Sequence, residues 1–181
     1  GRPQDNPLIV HISDFLQIDA LIRERIEVLE RLAKAFWPGP LTIISEKSPL
    51  VPDEVTCGLD TVAVRFPSSQ IARDIIASAG VPLAAPSANL SGSPSPTCFE
   101  HCFADLNGRV DAIVNGPHCE VGVESTVITI VGGKVRLLRP GAVTVEMLQS
   151  IAGEVEIDRA VLNQIEAGAR VSSPGMKYKH Y

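Results

Sequence analysis

The residues able to do chemistry in this 181-residue chain gather at the ends of expected strands. Arg2 and Asn6 precede the first strand, and His11 falls near its end. Arg65 ends the run TVAVR, and Ser87 and Asn89 follow VPLAAP. Glu124 and Ser125 precede VITIV, and Arg139 ends VRLLR. Ligands of α/β sheets favour strand ends, where loops converge on rigid supports. Three arginines at such places suit a polyanion, because the guanidinium fork matches phosphate and carboxylate oxygens. Serine-rich loops add hydroxyl and backbone N–H donors for phosphate. Each residue also has a plainer reading. Arg2 fits a solvated terminus, Arg65 a structural ion pair, and His11 a satisfied buried histidine. Asn89 fits a turn and Glu124 a surface charge.

Other sites are missing or weak. No GxxxxGK[ST] loop, GxGxxG or GxSxG elbow occurs. Gly132-Gly133-Lys134 lies between two strand-like runs and reads as a hairpin turn. Cys98-x-x-His101-Cys102 has zinc-ligating residue types but no second pair at standard spacing. A helix with a buried cysteine face is the alternative. Taken alone, these features reach an α/β domain that binds a phosphorylated small molecule.

The elements that must position these residues follow from the pattern. Pro7 to Ile12, Leu41 to Ser45, Thr61 to Phe66, Val81 to Ala85, Val110 to Val114, Val127 to Val131 and Val135 to Arg139 read as strands or apolar runs. Phe15 to Phe36 carries apolar residues at helical spacing, stopped by Trp37-Pro38-Gly39-Pro40. Ser68 or Ser69 caps a helix to about Ala79, a short helix follows Thr97, and Thr144 caps one to about Ile151. Leu50 to Leu59 reads as irregular, and Pro86 to Thr97 as a long small-residue loop. The mixture implies a mixed twisted sheet with flanking helices.

Composition bounds the function. Hydrophobic residues at 45% can build a core, and aromatics at 4% make that core aliphatic. The net charge of −5 and the few aromatics speak against strong direct nucleic-acid binding, which needs basic charge and stacking platforms. Cys57, Cys98, Cys102 and Cys119 form no secreted disulfide framework, and no apolar run approaches a membrane span, so the expected setting is cytoplasmic.

Five stretches in order resemble the threonylcarbamoyl-AMP synthase family, with its YrdC-like fold. They are Gly1-Arg2-Pro3-Gln4-Asp5-Asn6-Pro7-Leu8, Trp37-Pro38-Gly39-Pro40-Leu41-Thr42, Ala85-Pro86-Ser87-Ala88-Asn89-Leu90-Ser91-Gly92, Gly122-Val123-Glu124-Ser125-Thr126-Val127 and Leu138-Arg139-Pro140-Gly141. The resemblance implies a catalytic domain over residues 1–165, with a concave ligand-binding face, and a linker over 166–181 toward a further domain. It also implies missing ends, because the family opens with a segment whose Lys-x-Arg pair meets this chain only at Arg2.

The implied reaction joins L-threonine, bicarbonate and ATP into threonylcarbamoyl-AMP and pyrophosphate, with Mg²⁺ travelling on the triphosphate. A separate transferase then carries the group to adenosine 37 of transfer RNA. Arg2, Arg65, Ser87 and Asn89 are the implied catalytic set. Arg2, Asn6, Thr61, Ser87, Ser95, Arg139, His180 and Tyr181 are implied for ATP. His11, Arg65, the Ala85 backbone and Ser125 are implied for threonine. Two rivals remain at this point: a noncatalytic double-stranded RNA-binding module, and a carbamoyl-transfer domain of a hydrogenase-maturation protein.

Overall fold

The computed structural model describes residues 6–163. Seven strands form one mixed sheet in the order β4-β1-β3-β2-β5-β6-β7. They are β1 (Ile9–His11), β2 (Leu41–Glu46), β3 (Thr61–Arg65), β4 (Leu83–Ala85), β5 (Thr126–Val131), β6 (Lys134–Arg139) and β7 (Val155–Ile157). β1 runs parallel to β3, β2 to β5 and β6 to β7, while the other neighbours are antiparallel. Among the described residues five α-helices accompany them: α1 (Glu27–Phe36), α2 (Asp53–Thr56), α3 (Gln70–Ala79), α4 (Phe99–Leu106) and α5 (Val145–Ala152).

Strand alternation decides which face is the core. Val62 and Val64 of β3, Leu41 and Ile43 of β2, and Ile128 and Ile130 of β5 are all buried. Leu29, Leu32 and Ala33 of α1, at helical spacing, join the same cluster with Leu148 of α5. The residues between the buried strand positions, His11, Ala63 and Arg65 among them, belong to the opposite face.

Caps fix the helix starts. The Ser69 hydroxyl accepts from the Ala72 N–H, and the Thr144 hydroxyl from the Met147 N–H. Gly132 and Gly133 both have positive φ, 61° and 76°, as a two-residue hairpin turn requires.

The structure departs from the sequence reading in four places. Residues 15–36 are not one helix. A 3-10 helix (Phe15–Ala20), capped by Asp14, comes before α1. Between them the chain bonds sideways, with Arg23 N–H donating to Glu46 O and Ser48 N–H to Leu21 O. Those bonds draw residues 21–23 alongside the end of β2 and out of the helix. Val110 to Val114 forms no strand, and Val110 and Val114 are 45% and 61% exposed. An apolar run becomes a strand only when a neighbouring edge pairs with it, and among the described residues none does. Within 50–59, which reads as irregular in sequence, α2 forms a single turn. β7 is an added strand on the β6 edge. The expected linker 166–181 lies outside the described residues.

Candidate active site

Register aligns the candidate residues in one row across the sheet. Leu83 of β4 pairs with His11 of β1, which pairs with Arg65 of β3. Arg65 pairs with Thr42 of β2, Thr42 with Val127 of β5, and Val127 with Arg139 of β6. Cross-strand partners share a face, so residues distant in sequence become neighbours. The Arg65 and Arg139 backbones stand three strand spacings apart, roughly 14 Å. Their guanidiniums nevertheless lie close enough to repel. Burial holds the Arg65 guanidinium below its ordinary pKa, the Arg139 charge lowers it further, and Cys119 pulls the other way.

Arg65 is half-buried, and its Nε donates to Gly39 O at 3.2 Å. Gly39 has no room for a side chain, since a Cβ would strike the Phe36 carbonyl. The WPGP turn thus brings a backbone acceptor onto Arg65, with a cis bond between Trp37 and Pro38. Among the described residues no carboxylate pairs with Arg65.

Arg139 is held more firmly. Its Nε and Nη2 donate to Ser125 O at 3.0 and 2.9 Å, and Nη2 also to Ser125 Oγ at 3.1 Å. Its Nη1 pairs with Glu124 at 2.5 Å. The other oxygen of Glu124 accepts from Ser95 Oγ at 3.0 Å. Ser125 is only 4% exposed, and its hydroxyl also meets Thr42 Oγ1 at 2.8 Å. The turn after Arg139 packs close, for a Cβ on Gly141 would sit 2.5 Å from the Thr126 nitrogen.

His11 is partly buried, and its Nδ1 has no hydrogen-bond partner among the described residues. Burial lowers its pKa first and the Arg65 charge second, while backbone groups of Ile9 and Leu83 oppose both. Both effects favour the neutral imidazole, which can donate or accept without adding charge.

The other expected residues are spread along the face. Thr61 begins β3 and lies roughly 13 Å from Arg65 along the strand. Ile9 pairs with Ala63, which brings the segment holding Asn6 to that same end. Ala85 pairs with Ile9, so the loop after β4 leaves from there as well. Ser95 nevertheless reaches Glu124 beside Arg139, so this loop crosses from one end of the site to the other. Ser87 is exposed within it. Asn89 braces the loop, its Nδ2 donating to Leu90 O at 2.9 Å and Ser93 O at 2.7 Å. Its buried Oδ1 has no partner among the described residues. Arg2, His180 and Tyr181 lie outside the described residues.

Sequence reasoning missed three contributors. Thr42 interrupts an apolar strand, and its alternation with Leu41 and Ile43 was the signal. The Gly39 carbonyl gave none beyond the WPGP turn, and neither did Cys119, a loop residue that acts on the Arg65 charge. Cys98 and Cys102 do not form the buried cysteine face expected of this helix, for α4 has no buried residue and both cysteines are partly exposed. Among the described residues no three His, Cys, Asp or Glu side chains gather to hold a metal ion, and His101 Nδ1 faces Thr97 Oγ1 at 3.4 Å. A cavity of about 370 Å³ beside α1 and β7, lined by Glu27, Arg31, Lys134 and Glu156, lies away from the arginine row.

Fold and site together define an α/β domain that carries two arginines, Arg65 and Arg139, in one row across a mixed sheet. A Sua5/YciO/YrdC family model, described as telomere recombination, matches residues 1–141. The chain belongs to that family. It is 48% identical over its full length to a threonylcarbamoyl-AMP synthase of Pyrococcus abyssi, covering 53% of that protein. It is 47% identical to one of Bacillus subtilis, covering 52% of it. The crystal structure of Pyrococcus abyssi Sua5 complexed with L-threonine is similar at 48% identity and TM-score 0.87, over all of this chain and 53% of that one. The chain thus spans about half the length of the relatives it matches.

Proposed function

We propose that this chain is the catalytic part of an enzyme making threonylcarbamoyl-AMP from L-threonine, bicarbonate and ATP. The observation that carries the reading is the pair Arg65 and Arg139, aligned in one row across the sheet and near enough for the Arg139 charge to act on Arg65, the first without a carboxylate partner among the described residues. Such a pair stabilises a bound anion and repels itself without one. The relatives' names and the threonine complex of the Pyrococcus abyssi protein support this choice over carbamoyl transfer or RNA binding.

The chemistry needs no protein nucleophile. The threonine amine and bicarbonate give a carbamate with loss of water. A carbamate oxygen attacks the α-phosphorus of ATP, and pyrophosphate leaves. Alignment of the reactants is worth roughly 7–11 kcal/mol of barrier. Fixed donors stabilise the charge that moves to the leaving group. In this reading Arg65 pairs with the threonine carboxylate, aided by His11, the Ala85 backbone and Ser125. Arg139, Ser87 and Ser95 meet the phosphates, and Asn6 and Thr61 hold the far end of the nucleotide. Asn89 shapes the loop over it. Arg2, His180 and Tyr181 complete the nucleotide site.

Mg²⁺ enters with the triphosphate as part of that substrate. The described residues offer no three-ligand cluster for it, and Glu124 is already engaged by Arg139 and Ser95. Transfer RNA is reached through a separate transferase. No described helix is long and apolar enough to cross a membrane, and the setting we propose is the cytoplasm.

The test is Arg65→Ala in the full-length protein, with pyrophosphate release and the melting temperature measured together. Loss of a charged, fork-shaped contact should lower kcat/KM by about tenfold to a hundredfold or more, with little change in stability. Pyrophosphate release at the wild-type rate would remove Arg65 and the reading with it.

A further inference from the structure

We propose that Thr42 is a positioning residue that sets the polarity of a buried hydroxyl relay, from Thr42 through Ser125 to Arg139, so that Ser125 offers its own hydrogen to an anionic ligand. The inference rests on the reading of Arg65 and Arg139 as an anion-binding pair.

Thr42 is fully buried and Ser125 nearly so. Their oxygens are 2.8 Å apart, and geometry alone permits either to donate. Ser125 Oγ also accepts from Arg139 Nη2 at 3.1 Å. A hydroxyl has one hydrogen and two acceptor sites. Two hydroxyls that share one bond leave one hydrogen over. If Ser125 donates to Thr42, the spare hydrogen is on Thr42, fully buried, with no acceptor among the described residues. An unmade hydrogen bond there costs more than a made one contributes. If Thr42 donates, its hydrogen is satisfied, and Ser125 accepts from both Thr42 and Arg139. The spare hydrogen is then on Ser125, beside the Arg139 guanidinium, where a bound carboxylate or phosphate oxygen can take it. The second arrangement satisfies every group once a ligand is present. It also pins Ser125, whose carbonyl receives two further bonds from Arg139.

Thr42 therefore acts without touching the ligand. Valine at 42 keeps the shape of threonine and removes the donor. Ser125 would then lose the donor that fixes its hydroxyl rotor, and Arg139 would lose a fixed support.

The experiment is calorimetric titration of the full-length protein with L-threonine and, separately, with inorganic pyrophosphate. Wild type, Thr42→Val and Thr42→Ser are compared, with melting temperatures recorded alongside. Thr42→Val should bind about tenfold more weakly while still unfolding cooperatively. Thr42→Ser should keep the affinity within about twofold of wild type, because serine retains the hydroxyl and loses the methyl group that valine retains, so a pure packing effect would weaken the serine variant instead. Unchanged affinity in Thr42→Val, or an equal loss in Thr42→Ser, overturns the relay. Should Thr42→Val not fold, Thr42→Cys takes its place. A thiol donates weakly, so a smaller loss is expected, and wild-type affinity overturns the idea equally. A wild-type protein that takes pyrophosphate but not L-threonine defeats the synthase reading. The relay is then decided on pyrophosphate, with the same expected pattern. Wild-type protein that takes neither probe overturns both.

Discussion

Arg65 and Arg139 stand on strands that also carry Val64 and Leu137, 1% and 2% exposed, and those neighbours are clamped into the core. Ser87, Asn89 and Ser95 stand on a loop with no such anchor. The helix that follows it, α4, has no buried residue, and Val121 and Val123 beyond are 45% and 62% exposed. One half of the site is therefore held by packing, the other by a handful of hydrogen bonds. The bonds are Asn89 to Leu90 and Ser93, Leu90 N–H to Asp105, Ser95 to Glu124, and Cys119 N–H to Thr97. Charge recognition needs preorganised groups, because moving them at binding costs free energy. A loop that must admit and release a ligand belongs at the low-stability end of the molecule.

The contrast is sharpest in stability. Leu32→Ala removes a fully buried side chain from α1 beneath the sheet and should cost about 2–5 kcal/mol. Val114→Ala, at 61% exposure, should change stability by less than about 0.5 kcal/mol. Urea unfolding of both variants checks this. Similar losses would show that residues 110–123 are packed as tightly as the sheet, and the division into two halves would fail.

A smaller effect is expected within the loop half. Asn89→Ala removes the two Nδ2 bonds that brace residues 90–93. The expected result is an unchanged melting temperature with ATP affinity several-fold weaker, on the order of 1 kcal/mol. Titration with ATP reads it. A drop in melting temperature comparable to that of Leu32→Ala would mean that Asn89 supports the core as well as the loop.

The same division decides what could be read from sequence. β2, β3, β5 and β6 are legible because half-buried strands alternate and the Gly132-Gly133 turn announces its hairpin. Alternation also puts Arg65 on the face opposite Val64, so its exposure to a ligand follows from two adjacent letters. The row from His11 to Arg139 is different. It depends on strand order, which no local pattern encodes, and so Thr42 went unnoticed between two arginines distant in sequence. Residues 110–114 fail for the reverse reason. Their composition favours a strand, but strand formation needs a partner edge, and local composition does not supply one. The buried cysteine face expected after Thr97 fails in the same way, since helical spacing of Cys98 and Cys102 does not say whether anything packs on that side.

His11 offers the smallest test, and it probes the boundary between the two halves. Its ring sits on β1, next to Arg65 in register and next to Leu83 of the edge strand. Its folded-state pKa is lowered from 6.5, by burial first and then by Arg65. The folded protein thus resists a proton that the unfolded chain accepts. Stability is unaffected well above the unfolded value, where both states are neutral. It falls as pH drops through about 6.5, and the loss ends once pH passes the folded value. The slope from this group cannot exceed one proton, about 1.4 kcal/mol per pH unit, and partial burial makes it smaller. Unfolding free energies measured between pH 5 and pH 8 should show this decline in wild type and a flatter profile in His11→Gln. Because Arg65 contributes to the shift, Arg65→Ala should flatten it in part. If Arg65→Ala leaves the His11 slope untouched, burial alone sets the shift, and the arginine row does not reach electrically as far as β1.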